Sequence, residues 1–162
     1  MIHAVYPGSF DPITNGHMDI IHRARLVFEK LTIAVVVNPS KKPLFTPTER
    51  VKMIENVLKD ENLAINVGSF DGLLVKYAEK IEAKAIVRGL RALSDFEFEF
   101  QLSLMNRRLN PDIQMVYFMS GTEFTYLSSG LVKEVAALGG DVSGLVPSRV
   151  LDRLKEKLSL LR

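Results

Sequence analysis

The stretch Tyr6-Pro7-Gly8-Ser9-Phe10-Asp11-Pro12-Ile13-Thr14-Asn15-Gly16-His17 decides how the chain is read. It follows a short apolar run, Ile2–Tyr6. It precedes His17–Glu29, where Ile20, Ile21, Ala24, Val27 and Phe28 recur at helix spacing. Strand, loop and helix are therefore expected in that order. The prolines and glycines between them describe a loop of defined backbone shape, and Gly8 allows a ligand to approach the chain closely. Gly16-His17 opens the helix, where free N–H groups and the positive dipole end attract anions. A histidine there can aim an N–H at a phosphate oxygen. A lone histidine at a helix entry is more often packed for structure; the surrounding loop turns the reading toward a ligand.

Outward from this junction, apolar and amphipathic runs alternate. Leu31–Val37, Leu63–Val67, Ala85–Val87 and Gln114–Met119 read as further strands, the first rich in β-branched residues and almost uniformly apolar, as a strand covered on both faces should be. Pro47–Lys59 reads as a helix with Thr46 as N-cap, Pro47 at its first position and Glu49 completing a capping box. Gly72–Glu82, Ser128–Leu138 and Ser148–Leu160 are also helical. The last carries Val150, Leu151, Leu154, Leu158 and Leu161 on one stripe. In Phe96–Leu109 the residues Phe96, Phe98, Phe100, Leu102 and Leu104 alternate with polar ones, which alone suggests a strand. The segment's length favours a helix with two apolar faces, which needs a sheet and a second partner to pack on.

These elements predict an α/β fold: a Rossmann-like, doubly wound, five-stranded parallel sheet with helices on both faces. Ligands of such folds bind at the carboxyl ends of the strands. With 162 residues, 47% hydrophobic and 25% charged, and no repeat or linker, residues 1–162 are expected to form a single domain. The absence of cysteine excludes disulfides, thiolate metal sites and cysteine nucleophiles. Three histidines, His3, His17 and His22, are too few for a multi-histidine metal site, and no protein-held metal is expected. A net charge of +2 is too balanced for a nucleic-acid binder. No secretory signal or apolar run of about 20 residues is visible, so no membrane partner is expected and a cytoplasmic location is. Neither Gly-x-Gly-x-x-Gly nor a P-loop occurs.

Thr14-Asn15-Gly16-His17 closely resembles the Thr/His-x-Gly-His signature of the nucleotidylyltransferase superfamily, and the whole opening string resembles that of the phosphopantetheine adenylyltransferase family. The likeness continues through Asn38-Pro39-Ser40-Lys41-Lys42-Pro43, Arg88-Gly89-Leu90-Arg91-Ala92, Asp95-Phe96-Glu97, Ser128-Ser129-Gly130-Leu131-Val132-Lys133-Glu134-Val135, Gly139-Gly140-Asp141-Val142 and Val146-Pro147.

The resemblance implies adenylyl transfer from ATP to 4′-phosphopantetheine, the penultimate step of coenzyme A synthesis. It makes His17 the catalytic residue, a transition-state donor to the α-phosphate. It assigns ATP to Ser9, Phe10, His17, Gly89, Leu90, Arg91, Glu99 and the run Phe124, Thr125, Tyr126, Leu127, Ser128, Ser129 and Gly130. It assigns phosphopantetheine to Ser9, Lys41, Leu74 and Arg88. Each has a plainer reading. Lys41 alone would be a solvated lysine, as Lys42, Lys52 and Lys59 are expected to be. Arg88 and Arg91 could pair with Asp95 or Glu97. Glu99 would be a helix surface charge, Leu74 a core leucine, and Ser128 an N-cap. Gly130 stands where the family usually has a third serine, so modestly weakened nucleotide binding is expected; Phe98 stands where a tyrosine is frequent and lacks its hydroxyl.

The resemblance further implies Mg2+ carried on the ATP phosphates, a homohexamer, and feedback inhibition by coenzyme A. The remaining alternatives are an adenylyl- or cytidylyltransferase for another phosphorylated acceptor, such as nicotinamide mononucleotide or glycerol phosphate, and a non-catalytic nucleotide sensor. A class I aminoacyl-tRNA synthetase shares a related loop, but this chain lacks the length.

Overall fold

A computed structural model of the chain describes residues 1–161, without the side chains of residues 93 and 94; residue 162, the last of the expected domain, lies outside it. Five strands, β1 (His3–Gly8), β2 (Lys30–Val36), β3 (Asn66–Phe70), β4 (Ala85–Leu90) and β5 (Gln114–Met119), form one parallel sheet in the order β3-β2-β1-β4-β5. The helices are α1 (Asn15–Val27), α2 (Pro47–Asp60), α3 (Leu74–Lys80), α4 (Leu93–Leu109), α5 (Ser129–Ala137) and α6 (Ser148–Ser159).

The sheet is covered on both faces, as the apolar strands required. Ala4 and Tyr6 of β1, Leu31, Ile33 and Val35 of β2, and Ala85 and Val87 of β4 enter the larger core with α1, α2 and α6. Their neighbours Val5, Ala34 and Ile86 point the other way, into a smaller core with Val75 and Ala78 of α3. This alternation is the period of two that a strand imposes. The chain lays β2 and β3 on one side of β1 and crosses to β4 and β5 on the other. The strand order therefore reverses between β1 and β4, and a crevice opens there at the strands' carboxyl ends.

Several boundaries differ from the sequence reading. β3 starts at Asn66, not Leu63. Asn62 adopts a left-handed φ of 56°, and the Leu63 N–H bonds back to Leu58 O, so Leu63 and Ile65 pack on the core from a loop. α3 is shorter than Gly72–Glu82 because Gly72 (φ 80°) and Glu82 (φ 58°) lie in left-handed backbone at either end. β4 runs three residues past Val87, so Arg88, Gly89 and Leu90 pair with Tyr117, Phe118 and Met119 inside the sheet. Leu161 falls beyond the end of α6 and is exposed, so that helix's stripe closes at Leu158.

Phe96–Leu109 is helical, within α4. Among its described side chains the buried ones are polar, Glu99 and Asn106 two turns apart, while Phe96, Phe98, Phe100, Leu104 and Met105 are exposed. The alternation is thus a helix with an uncovered apolar face. Leu154, fully buried on α6, anchors that helix. Leu154→Ala is expected to cost about 2–5 kcal/mol in urea unfolding. Leu161→Ala should stay within about 0.5 kcal/mol.

Candidate active site

The crevice is a cleft of about 450 Å³ with His17 in its wall. Thr14 caps α1, and His17, at the third helical position, completes a capping box where a glutamate would ordinarily stand. The Thr14 backbone N–H donates to Nδ1 of the imidazole at 2.9 Å. An amide nitrogen can only donate, so Nδ1 carries the lone pair and Nε2 the proton. Burial, and secondarily the charge of Arg91, hold the imidazole down to about 4, so it is neutral around pH 7.

Phe10 buttresses this ring. It adopts a left-handed φ of 46° and packs edge-on to His17, with ring centroids 4.9 Å apart. Its ring also lies over Gly8, where a Cβ would come within 3.0 Å of it, which explains the glycine. At 1% exposure, Phe10 leaves only backbone for a nucleotide.

Arg88, at the end of β4, is gripped by both carboxylate oxygens of buried Glu99. Burial opposes the Arg88 charge, and the Glu99 pair outweighs it, raising its pKa above the usual value. The partner is thus neither Asp95 nor Glu97, and Glu99 is not a surface charge. Arg91 pairs with Asp95 and donates to Leu127 O at 2.7 Å, joining the start of α4 to the segment before α5. At α5, Ser128 Oγ accepts the Leu131 N–H, and Ser129 Oγ donates to Pro12 O at 2.7 Å. Of the two hydroxyls expected to face phosphate, Ser129 spends its O–H within the fold, while Ser128 only accepts and keeps its O–H to donate. The backbone N–H groups of Ser129 and Gly130, in the first turn, remain for a ligand. A Cβ on Gly130 would meet only Ser128 Oγ, at 3.9 Å.

A second pocket of about 230 Å³ adjoins the cleft through Ser9 and Ser129. It is basic, lined by Lys41, Lys42, Arg50 and Lys133 with one carboxylate, Asp11. Of the expected site residues, Ser9, Phe10, His17, Arg88, Gly89, Arg91, Glu99, Phe124, Leu127, Ser128 and Ser129 line the cleft, and Lys41 and Gly130 the basic pocket. Leu90, Thr125, Tyr126 and Leu74 stand outside both linings; Leu74 packs on the smaller core.

Sequence reasoning gave Asp11, Arg50 and Lys133 no role. Arg50 had a readable signal: helix spacing puts it on the same face as Met53, Ile54 and Val57, all buried. Elsewhere, His3 bonds Ile81 O and Thr32 Oγ1 at the far end of β1, and exposed His22 pairs with Glu61. Among the described residues, no three acidic or histidine side chains group to hold a metal, and no helix is long and apolar enough to cross a membrane.

The cytidylyltransferase-like family model matches residues 5–135. The phosphopantetheine adenylyltransferase of Desulfosudis oleivorans is 55% identical over 155 residues, covering 96% of this chain and 92% of that protein. Its counterpart from Heliobacterium modesticaldum is 56% identical, covering 95% and 91%, and that from Dictyoglomus thermophilum 51%, covering 99% and 97%. Among solved structures, a Vibrio parahaemolyticus protein provisionally named a nicotinate-nucleotide adenylyltransferase superposes with a TM-score of 0.68 over 98% of this chain and 95% of that one. At 22% identity this likeness concerns the fold.

Because the His17 imidazole is neutral when folded, the unfolded chain binds more protons below about pH 6.5, and stability should fall from there toward pH 4. His3 is shifted in the same direction by burial. Urea unfolding across this range should show a shallower acid limb in His17→Asn than in the parent; an unchanged limb contradicts the assignment.

Proposed function

Since this chain belongs to the phosphopantetheine adenylyltransferases, and to the wider cytidylyltransferase-like family, we infer that the cleft and the basic pocket beside it are its ATP and acceptor sites. The enzyme transfers the adenylyl group of ATP to 4′-phosphopantetheine, giving dephospho-coenzyme A and pyrophosphate in coenzyme A synthesis. An oxygen of the acceptor phosphate attacks the α-phosphorus, the bond to the bridging oxygen of the β-phosphate breaks, and pyrophosphate leaves in line. No protein nucleophile is needed. The work is positioning two polyanions and stabilising charge on the equatorial oxygens.

The observation that carries this reading is the Thr14 N–H on His17 Nδ1. It leaves Nε2–H as a neutral, oriented donor for an α-phosphate oxygen as negative charge grows there. Arg88, braced by Glu99, and Lys41 hold the acceptor phosphate. Arg91 and the free N–H groups at the start of α5 hold the β- and γ-phosphates, and Phe124 and Leu127 wall the adenine. Glu99 acts at one remove from the nucleotide, through Arg88. ATP enters as its magnesium complex, with phosphate oxygens and water completing the ion's shell. The exposed apolar face of α4 suits burial between subunits of a homohexamer. Coenzyme A, which carries the same pantetheine arm, would compete at the acceptor pocket. A cytoplasmic site of action follows from the same reading.

Coupled pyrophosphate release with phosphopantetheine, against nicotinamide mononucleotide as the competing acceptor, tests the assignment; turnover with the second alone would overturn it. His17→Ala should lower kcat about 10²–10³-fold with little change in the KM for ATP. A variant turning over at the parent rate removes the role. With the Ser129 hydroxyl spent on Pro12 O, Gly130→Ser would add a hydroxyl donor to the cradle. Its KM for ATP should fall about two- to tenfold, the worth of one hydrogen bond; an unchanged or raised KM contradicts this.

A further inference from the structure

Asp11 has no part in the chemistry above, yet it joins three segments that do. It lies 5% exposed in the loop between β1 and α1. Its Oδ1 accepts the Phe45 N–H at 2.9 Å. Its Oδ2 accepts the Leu44 N–H at 2.9 Å and an N–H of the Lys133 ammonium, on α5, at 2.6 Å. The segment between β2 and α2 that carries Lys41 has little other anchorage. Near β2, Val37 N–H bonds to Phe70 O; its middle makes only the local Lys41-to-Asn38 and Ser40-to-Asn38 bonds; and Phe45, wholly buried, plugs its far end. Two successive amides held by one carboxylate thus fix where the far end of the Lys41 loop sits.

The surrounding charge has the same implication. Lys41, Lys42, Arg50 and Lys133 line the pocket against Asp11 alone. Arg50 is 2% exposed, donates to Ser9 O and Val36 O, and has a buried Nε with no partner. Four basic side chains around one carboxylate that three donors already share leave the pocket with uncompensated positive charge, the setting an anion requires.

On the reading that this pocket takes the acceptor phosphate, we propose that Asp11 is a positioning residue for that site. Its carboxylate sets the reach of Lys41 by clamping the far end of its loop, and holds the Lys133 ammonium at the pocket wall. An amide cannot do the same: Asn would turn an NH2 toward one of the three donors.

Calorimetric titration of phosphopantetheine and of ATP, each alone, into the parent, Asp11→Asn, Lys41→Met and the double variant tests this. Asp11→Asn should weaken phosphopantetheine binding about tenfold or more, the scale of lost bonds to a charged group, and leave the ATP Kd within about twofold. The double variant should bind no more than about two- to fivefold worse than the weaker single, because the loop effect of Asp11 acts through Lys41 and only its hold on Lys133 is independent. An unchanged phosphopantetheine Kd, equal weakening of both ligands, or losses that multiply in full would each overturn the proposal. If Asp11→Asn does not fold, Lys133→Met, which leaves the carboxylate's bonds to the loop intact, should raise the phosphopantetheine Kd two- to fivefold with ATP unaffected; parent affinity there overturns it instead. Parent enzyme that binds phosphopantetheine but releases no pyrophosphate counts against the proposed reaction and leaves the Asp11 test standing.

Discussion

The Thr14 N–H meets His17 Nδ1 at the first turn of α1, and the rest of the site is arranged around that contact. The amide decides the tautomer, the tautomer makes Nε2 the donor, and burial keeps the ring neutral at the pH where polyanions must be handled. A protonated imidazole would add Coulomb attraction, but it would have to give up the Thr14 bond. The chain instead supplies its positive charge from arginine and lysine side chains and keeps the histidine as a directional group. The glycine at position 8 and the left-handed Phe10 serve the same end, since the ring they seat is the one against which the imidazole packs.

The place of the site follows from topology. The reversal of strand order between β1 and β4 opens a crevice that neither strand alone could form, and it sets the β1–α1 loop opposite the end of β4. Arg88 and Gly89 reach the crevice from within a strand, so their backbones are held by pairing to β5. A Cβ at Gly89 would come within 3.1 Å of Ile20, a sign of how closely α1 packs on this strand.

Most of the cations around the site have a carboxylate or carbonyl that aims them. Glu99 takes Arg88, Asp95 and the Leu127 carbonyl take Arg91, and Asp11 takes Lys133. Holding these side chains before a ligand arrives lowers the ordering entropy left to binding. Lys41, in the loop between β2 and α2, is exposed, and its setting depends on the backbone that carries it.

What the sequence determined by itself was local. Alternating apolar strands and amphipathic helices, the capping box at Thr46, and the histidine at a helix start can all be read within a few residues, because strand pleat, helix period and cap chemistry act over that range. Gln114–Met119 and the start of α2 stand where periodicity and caps placed them. The tertiary structure decided which charges meet. Asp11 finds Lys133 across 122 residues and the Leu44 and Phe45 amides across more than thirty, while Arg91 finds the Leu127 carbonyl 36 residues away. It also turned Glu99 inward, engaged the Ser128 and Ser129 hydroxyls with backbone, and left Leu74 against the core. Such pairings depend on how strands are ordered and how helices lie across them, and a one-dimensional pattern of residue types carries no distance between its parts.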